Sequence, residues 1–117
     1  MSNLVTVVIH SYNRYDYLSN AIQSVLNQTM DDFEIILIND ESTDERYYKN
    51  NFGKKVKQID IRRNKNPRWT GSRQALINIG IENANGKYIA LLDDDDLWLE
   101  KKLELQIGEM ENNYYKF

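Results

Sequence analysis

Four consecutive aspartates, Asp93, Asp94, Asp95 and Asp96, are the group in this sequence best suited to chemistry. Adjacent carboxylates repel one another, so a run of them is most easily kept ionised and ordered by a compensating cation. Oxygen ligands suit hard divalent ions such as Mg²⁺, Mn²⁺ or Ca²⁺, and the chain has no cysteine to act as a softer ligand. The plain alternative is a solvated acidic loop that caps the next helix, where negative charge is favourable in any case. Position argues for the cation, because the run directly follows the apolar stretch 88–92 and leads into Leu97 and Trp98. Two more polar clusters also follow apolar stretches. His10, Ser11, Tyr12, Asn13 and Arg14 come after residues 4–9, and Asn39, Asp40, Glu41 and Ser42 come after residues 34–38. Taken singly, these are a boundary histidine, a half-exposed aromatic and a turn aspartate, and Arg68 and Arg73 are surface charges. Three such clusters on one edge would be a site.

The pattern of apolar residues supplies that edge. Residues 4–9 form a short β-branched run, as expected of a strand covered on both faces. Leu18, Ala21, Ile22, Val25 and Leu26 then recur at helical spacing. Residues 34–38 read as a second buried strand, closed by a 39–44 loop rich in capping residues. A short polar helix is expected over 45–51, ended near Gly53, and a third, more exposed strand over 56–61. The only proline, Pro67, fixes a loop at 64–68. A helix follows from about Trp69 to Asn83, stopped by Asn85 and Gly86, and then a fourth strand over 88–92. Leu99, Leu103, Ile107 and Met110 form one stripe of a last helix. This β-α-β-α-β-α-β-α order implies an α/β fold, an open, mostly parallel sheet flanked by helices with right-handed crossovers. Ligands of such sheets bind at the carboxyl ends of the strands, where all three polar clusters fall.

Length and composition limit the alternatives. At 117 residues, 41% hydrophobic and 28% charged, the chain has the composition of one folded domain. A net charge of −3 argues against nucleic acid as partner. The absence of cysteine removes disulfides, zinc–thiolate sites and thiol nucleophiles, and one histidine removes any site needing two imidazoles. The first βα turn holds no glycine, so it is neither a dinucleotide fingerprint nor a Walker A loop. The opening residues lack the pattern of a signal peptide. The apolar runs fall well short of the roughly 20 residues that span a bilayer, so a cytoplasmic location without a membrane span is expected.

Three segments carry a family resemblance: Val5-Thr-Val-Val-Ile-His-Ser-Tyr-Asn-Arg14, Phe33-Glu-Ile-Ile-Leu-Ile-Asn-Asp-Glu-Ser-Thr-Asp44, and Asn85-Gly-Lys-Tyr-Ile-Ala-Leu-Leu-Asp-Asp-Asp-Asp96. In order and spacing this resembles the family 2 glycosyltransferases of GT-A fold, across nearly the whole chain. The resemblance implies a nucleotide-sugar donor, a UDP-sugar above all, and Mn²⁺ or Mg²⁺. It places His10, Ser11, Tyr12 and Asn13 against the nucleotide base and makes Asp40 the acceptor of the base N3–H. A carboxylate only accepts, so Asp40 suits uracil or thymine and would repel the N3 lone pair of cytosine, while guanine stays open. Asp93, Asp94 and Asp95 match the family's D-x-D motif. Asp95 would bind metal, with Asp93 and Asp94 reaching the ribose and the diphosphate–metal unit. Arg68 or Arg73 would add a phosphate contact. Transfer to a glycan or other hydroxyl acceptor, with inversion, completes the implied activity.

The sequence departs from the family in several places. His10 stands where many relatives carry proline, Ile77 precedes Asn78 where arginine is common, and Asn39-Asp40-Glu41 replaces Asp-Asp-Gly. Family catalytic domains also continue well beyond this length, into a half that supplies the acceptor site and the catalytic base. Residues 1–117 are therefore expected to be a single nucleotide-sugar-binding domain, apparently truncated. Bared apolar surface, with Trp98, Tyr114, Tyr115 and Phe117 as candidates, would favour a homodimer. Two alternatives accompany this reading: a non-catalytic nucleotide-sugar- or metal-binding fragment, and a nucleotidyltransferase on a related sheet.

Overall fold

A computed structural model describes residues 3–62 and 72–113. Four parallel strands, β1 (Val5–Ser11), β2 (Phe33–Asn39), β3 (Val56–Asp60) and β4 (Tyr88–Leu91), form one sheet in the order β3-β2-β1-β4. The helices are α1 (Tyr15–Leu26), α2 (Arg46–Lys49), α3 (Arg73–Glu82) and α4 (Lys102–Asn113). Alternation along the central strands sorts the core into two layers. Val5, Val7 and Ile9 of β1 and Phe33, Ile35 and Leu37 of β2 pack with Leu18, Ala21, Ile22 and Val25 of α1 and with Leu103 and Ile107 of α4. Ile36 and Ile38 point the other way, into a smaller cluster with Leu76 and Ile79 of α3. Each such Val, Leu, Ile or Phe side chain contributes about 1.5–3 kcal/mol on burial. This is the continuously apolar strand pattern of a parallel sheet covered on both faces.

Two glycines set how closely the layers meet. A Cβ on Gly80 of α3 would lie 2.4 Å from Cγ1 of Val8, so the helix can rest on β1 only with hydrogen there. A Cβ on Gly86 would lie 2.4 Å from the backbone nitrogen of Thr6, where the chain crosses β1 before entering β4. Gln28, buried after α1, donates to the carbonyl of Leu99 at 2.8 Å and accepts from the Leu103 N–H at 3.0 Å. It thereby ties the segment after the aspartates to α1 and satisfies one of the unpaired amides at the start of α4.

Some boundaries differ from the sequence expectation. β1 runs on through His10 and Ser11, because Ser11 pairs with Asn39 of β2. The short helix spans only Arg46–Lys49. The helical stripe expected to begin at Leu99 begins instead at Lys102, and Leu99 is 85% exposed. Trp98, expected on a bare surface, packs against the core, and its neighbours Leu97 and Leu99 carry the exposure. α3 starts at Arg73 behind Ser72, whose side chain accepts from the Ala75 N–H. Its expected start at Trp69, the loop at 64–68, and Tyr114, Tyr115 and Phe117 lie outside the described residues.

Candidate functional site

The strand order creates the site. The chain winds outward from β1 to β2 and β3, then returns to the opposite side of β1 as β4. The crevice between β1 and β4 is thus a topological switch point, the usual ligand position in such sheets. Val8 pairs with Leu91, and the Leu92 N–H donates to the Val8 carbonyl at 3.1 Å. Continuing that register brings Asp93 beside His10 and Asp94 beside Ser11. The hydroxyl of Ser11, almost fully buried, donates to Oδ2 of Asp94 at 2.8 Å and lies 2.6 Å from the hydroxyl of Tyr47. Ser11 has one hydrogen, which Asp94 takes, so the Tyr47 hydroxyl must be the donor of the 2.6 Å bond. Tyr47 in turn accepts from the Arg14 N–H at 2.9 Å. A directed chain therefore runs from Arg14 N–H through Tyr47 and Ser11 to Asp94.

Asp93, Asp95 and Asp96 are left facing outward, each with one carboxylate oxygen within 4.8 Å of the others. This all-oxygen donor set fits a hard divalent cation. Two arginines share the cluster. Arg73, the first residue of α3, donates from Nη2 to Oδ1 of Asp93 at 2.7 Å and from Nε to Nε2 of His10 at 3.3 Å. Arg14 donates from Nη1 to Oδ2 of Asp95 at 3.1 Å and lies 3.9 Å from Oδ1 of Asp94. His10 therefore accepts through Nε2, as a neutral imidazole. Burial, followed by the Arg73 charge, pushes its pKa below the ordinary value, against the opposing pull of Asp94, Asp93 and Asp40.

The second wall comes from the loop after β2. Asp40 is largely buried, with its N–H bonded to the Ser11 carbonyl at 2.9 Å. Asn13 binds this loop to the first one: its Oδ1 accepts from the N–H groups of Thr43 and Asp44 at 2.9 and 3.0 Å. Its own N–H donates to Oγ of Ser42 at 3.0 Å. Asn13 and Glu41 have φ of 50° and 58°, the left-handed region. Asparagine tolerates it, but for glutamate it is strained. The glutamate sits where the family pattern has glycine, which gives that departure its physical cost.

Together these residues enclose an open cleft of about 730 Å³, lined by His10, Tyr12, Arg14, Asp40, Ser72, Arg73, Leu76, Asp93, Asp94 and Asp95. That volume is in the range of small-molecule sites. Of the residues singled out in the sequence, His10, Tyr12, Asp40, Arg73, Asp93, Asp94 and Asp95 meet there. Ser11 and Asn13 lie behind the wall, bonded to Asp94 and to the second loop. Arg68 lies outside the described residues. Arg14 as a partner of the acidic cluster, Tyr47 behind it, and Ser72 and Leu76 on the α3 side were not expected from the sequence. Ser72 alone carried a local signal, a serine three residues before Ala75 at a helix start.

The family model described as Glycosyl transferase family 2 matches residues 6–117. This chain belongs to glycosyl transferase family 2. An uncharacterized glycosyltransferase of Rickettsia bellii is 45% identical over 113 residues, which is 97% of this chain and 16% of that protein. The Escherichia coli enzyme WfaP, named a UDP-Glc:alpha-D-GlcNAc-diphosphoundecaprenol beta-1,3-glucosyltransferase, is 36% identical over 120 residues, covering 96% of this chain and 46% of WfaP. The crystal structure of S. aureus TarS 1-349 in complex with UDP-GlcNAc superposes with a TM-score of 0.75 at 19% identity, over 95% of this chain and 32% of that one. This family 2 chain therefore spans less than half the length of these relatives and has the GT-A fold of TarS. No helix among the described residues is long and apolar enough to cross a membrane.

Proposed function

We propose that this chain is the donor-binding part of a glycosyltransferase that moves a sugar from a UDP-sugar to an acceptor hydroxyl. The observation that carries the reading is the meeting of Asp40, Tyr12, Asp93 and Asp95 around one cleft, with Asp96 grouped beside the two aspartates. The half-exposed ring of Tyr12 offers a stacking face for a base, and Asp40 offers an acceptor to its imide N–H. The names of WfaP and TarS support uridine nucleotides as the donor class. Asp93 and Asp95, with Asp96, would hold Mn²⁺ or Mg²⁺, which when bound stabilises charge on the leaving diphosphate. In this reading Arg73 would orient phosphate and Asp94 ribose.

In the reaction the acceptor oxygen attacks the anomeric carbon as the bond from that carbon to the diphosphate oxygen breaks. The transition state is oxocarbenium-like, and a single in-line displacement inverts the anomeric configuration. His10, held neutral, adds no positive charge against the diphosphate and keeps Arg73 aimed into the cleft. Glu100, Glu104, Glu109 and Glu111 are exposed around α4 and its approach and do not line the cleft, so none of them is the base for the acceptor proton in this reading.

Thermal melting tests the reading. At 100 times its dissociation constant, a ligand adds about 2.7 kcal/mol of stability. UDP with Mn²⁺ should raise Tm strongly, UDP with chelator weakly, and Asp95→Ala should remove the difference. Equal shifts with and without chelator would overturn the metal assignment, and no shift in either would overturn the site.

A further inference from the structure

We propose that Arg14 is a resident cation of the acidic cluster: it neutralises Asp95 until a divalent ion takes that carboxylate, then turns to the nucleotide diphosphate. The inference rests on the reading of the cleft as a metal- and nucleotide-binding site. Its basis is the geometry at the start of α1. The backbone of Arg14 is fixed at both ends, its N–H by the Tyr47 hydroxyl and its carbonyl by the Leu18 N–H at 2.8 Å. Its side chain is 54% exposed and reaches across the cleft mouth to Asp95 at 3.1 Å. The root is anchored, and the half-exposed head meets Asp95 and Asp94. The carboxylate it holds supplies one of the three oxygens that lie within 4.8 Å of one another.

A guanidinium and a divalent ion cannot both take the full charge of Asp95, so the two compete. Displacement does not remove Arg14 from the site, because its anchored backbone keeps the guanidinium over the same cleft. A diphosphate bound beside the ion is then its best partner, since guanidinium matches phosphate oxygens in a planar, two-bond geometry. Arg14 thus opposes metal binding when the cleft lacks nucleotide and favours nucleotide once metal is present. The same side chain acts with opposite sign on the two ligands, which a merely structural residue would not do.

The test uses Arg14→Gln, Arg14→Lys and, as a control, Lys49→Gln, whose pair with Glu45 lies outside the cleft. Mn²⁺ binding alone is followed by electron paramagnetic resonance, and UDP binding at saturating Mn²⁺ by calorimetry. Loss of an exposed pair of this kind is expected to tighten Mn²⁺ about two- to fivefold in Arg14→Gln. Loss of a charge-assisted phosphate contact should weaken UDP about tenfold. Arg14→Lys keeps the charge without the fork, so it should restore wild-type Mn²⁺ affinity while recovering only part of the UDP affinity. Lys49→Gln should match wild type in both. Weaker UDP binding with unchanged Mn²⁺ affinity would overturn the exchange and leave the cleft's assignment standing. Absence of Mn²⁺ binding in every variant, with or without UDP, would overturn that assignment and the exchange together.

Discussion

Removing the hydroxyl of Ser11 should do more damage than its size suggests, and the damage should depend on Tyr47. Ser11 and Tyr47 are each 1% exposed, and their hydroxyls are 2.6 Å apart. Ser11→Ala strands the Tyr47 O–H without an acceptor, at about 1–3 kcal/mol, and takes a donor from the charged Asp94. Asp94 retains some solvent access, so water replaces part of the second loss; the total should be about 3 kcal/mol. Tyr47→Phe removes one donor to Ser11, which keeps its bond to Asp94, and one acceptor from Arg14, so about 1.5 kcal/mol is expected. In the double variant no O–H is left stranded, and the cost should stay near that of Ser11→Ala alone. The coupling is then about 1.5 kcal/mol, well above the 0.3–0.5 kcal/mol scatter of independent sites. Urea titrations of the four proteins, with unchanged m-values, measure it. At the usual unfolding entropy per residue, about 3 kcal/mol corresponds to a Tm drop of roughly 12 °C for this chain. Additive effects, or a Ser11→Ala variant as stable as wild type, would refute the directed chain.

Gly86→Ala should cost about 2–3 kcal/mol, because its Cβ would meet the backbone of Thr6 and not a side chain that can turn away; an unchanged denaturation midpoint would contradict this. Glu41→Gly should raise stability by about 0.5–1 kcal/mol, the relief of left-handed strain outweighing the entropy of glycine, and calorimetric Tm reads it. The imidazole of His10 should titrate below 6.5 by NMR. As pH falls through 6.5 the unfolded chain takes up a proton that the folded chain refuses. The His10 contribution to stability therefore falls until the lower folded pKa is passed and is flat below it. His10→Asn should remove that part of the pH dependence, and a midpoint at or above 6.5 would contradict the burial argument.

The strands and the gathering of three loops were legible because both rest on local signals. Val5, Val7 and Ile9 alternate with Thr6 and Val8 in a β-branched run too short for a helix, and α1 shows its buried stripe at helical spacing. Once β and α alternate, chain geometry alone carries Asp40 and the aspartate run to the same edge as His10. What stayed hidden depends on tertiary direction. Arg14 reaches Asp95 because β4 lies next to β1, and strand order has no signature in the local pattern. Tyr47 sits in a four-residue helix that reads as polar surface, yet its ring meets Tyr15 edge-on at 5.5 Å and its hydroxyl supports Ser11. Leu99 fits the spacing of the α4 stripe but precedes the helix, where helical spacing carries no meaning. Gly80 looks like a weak point of α3 until Val8 is seen beneath it.

One cleft is proposed to bind both a hard metal ion and a uridine nucleotide. Anomalous diffraction from a crystal of this chain grown with Mn²⁺ and UDP tests it most directly. A manganese peak is expected among the carboxylates of Asp93, Asp95 and Asp96, with the base beside Tyr12 and its N3–H on Asp40. A manganese peak elsewhere, or a uracil ring that leaves Asp40 untouched, would contradict it.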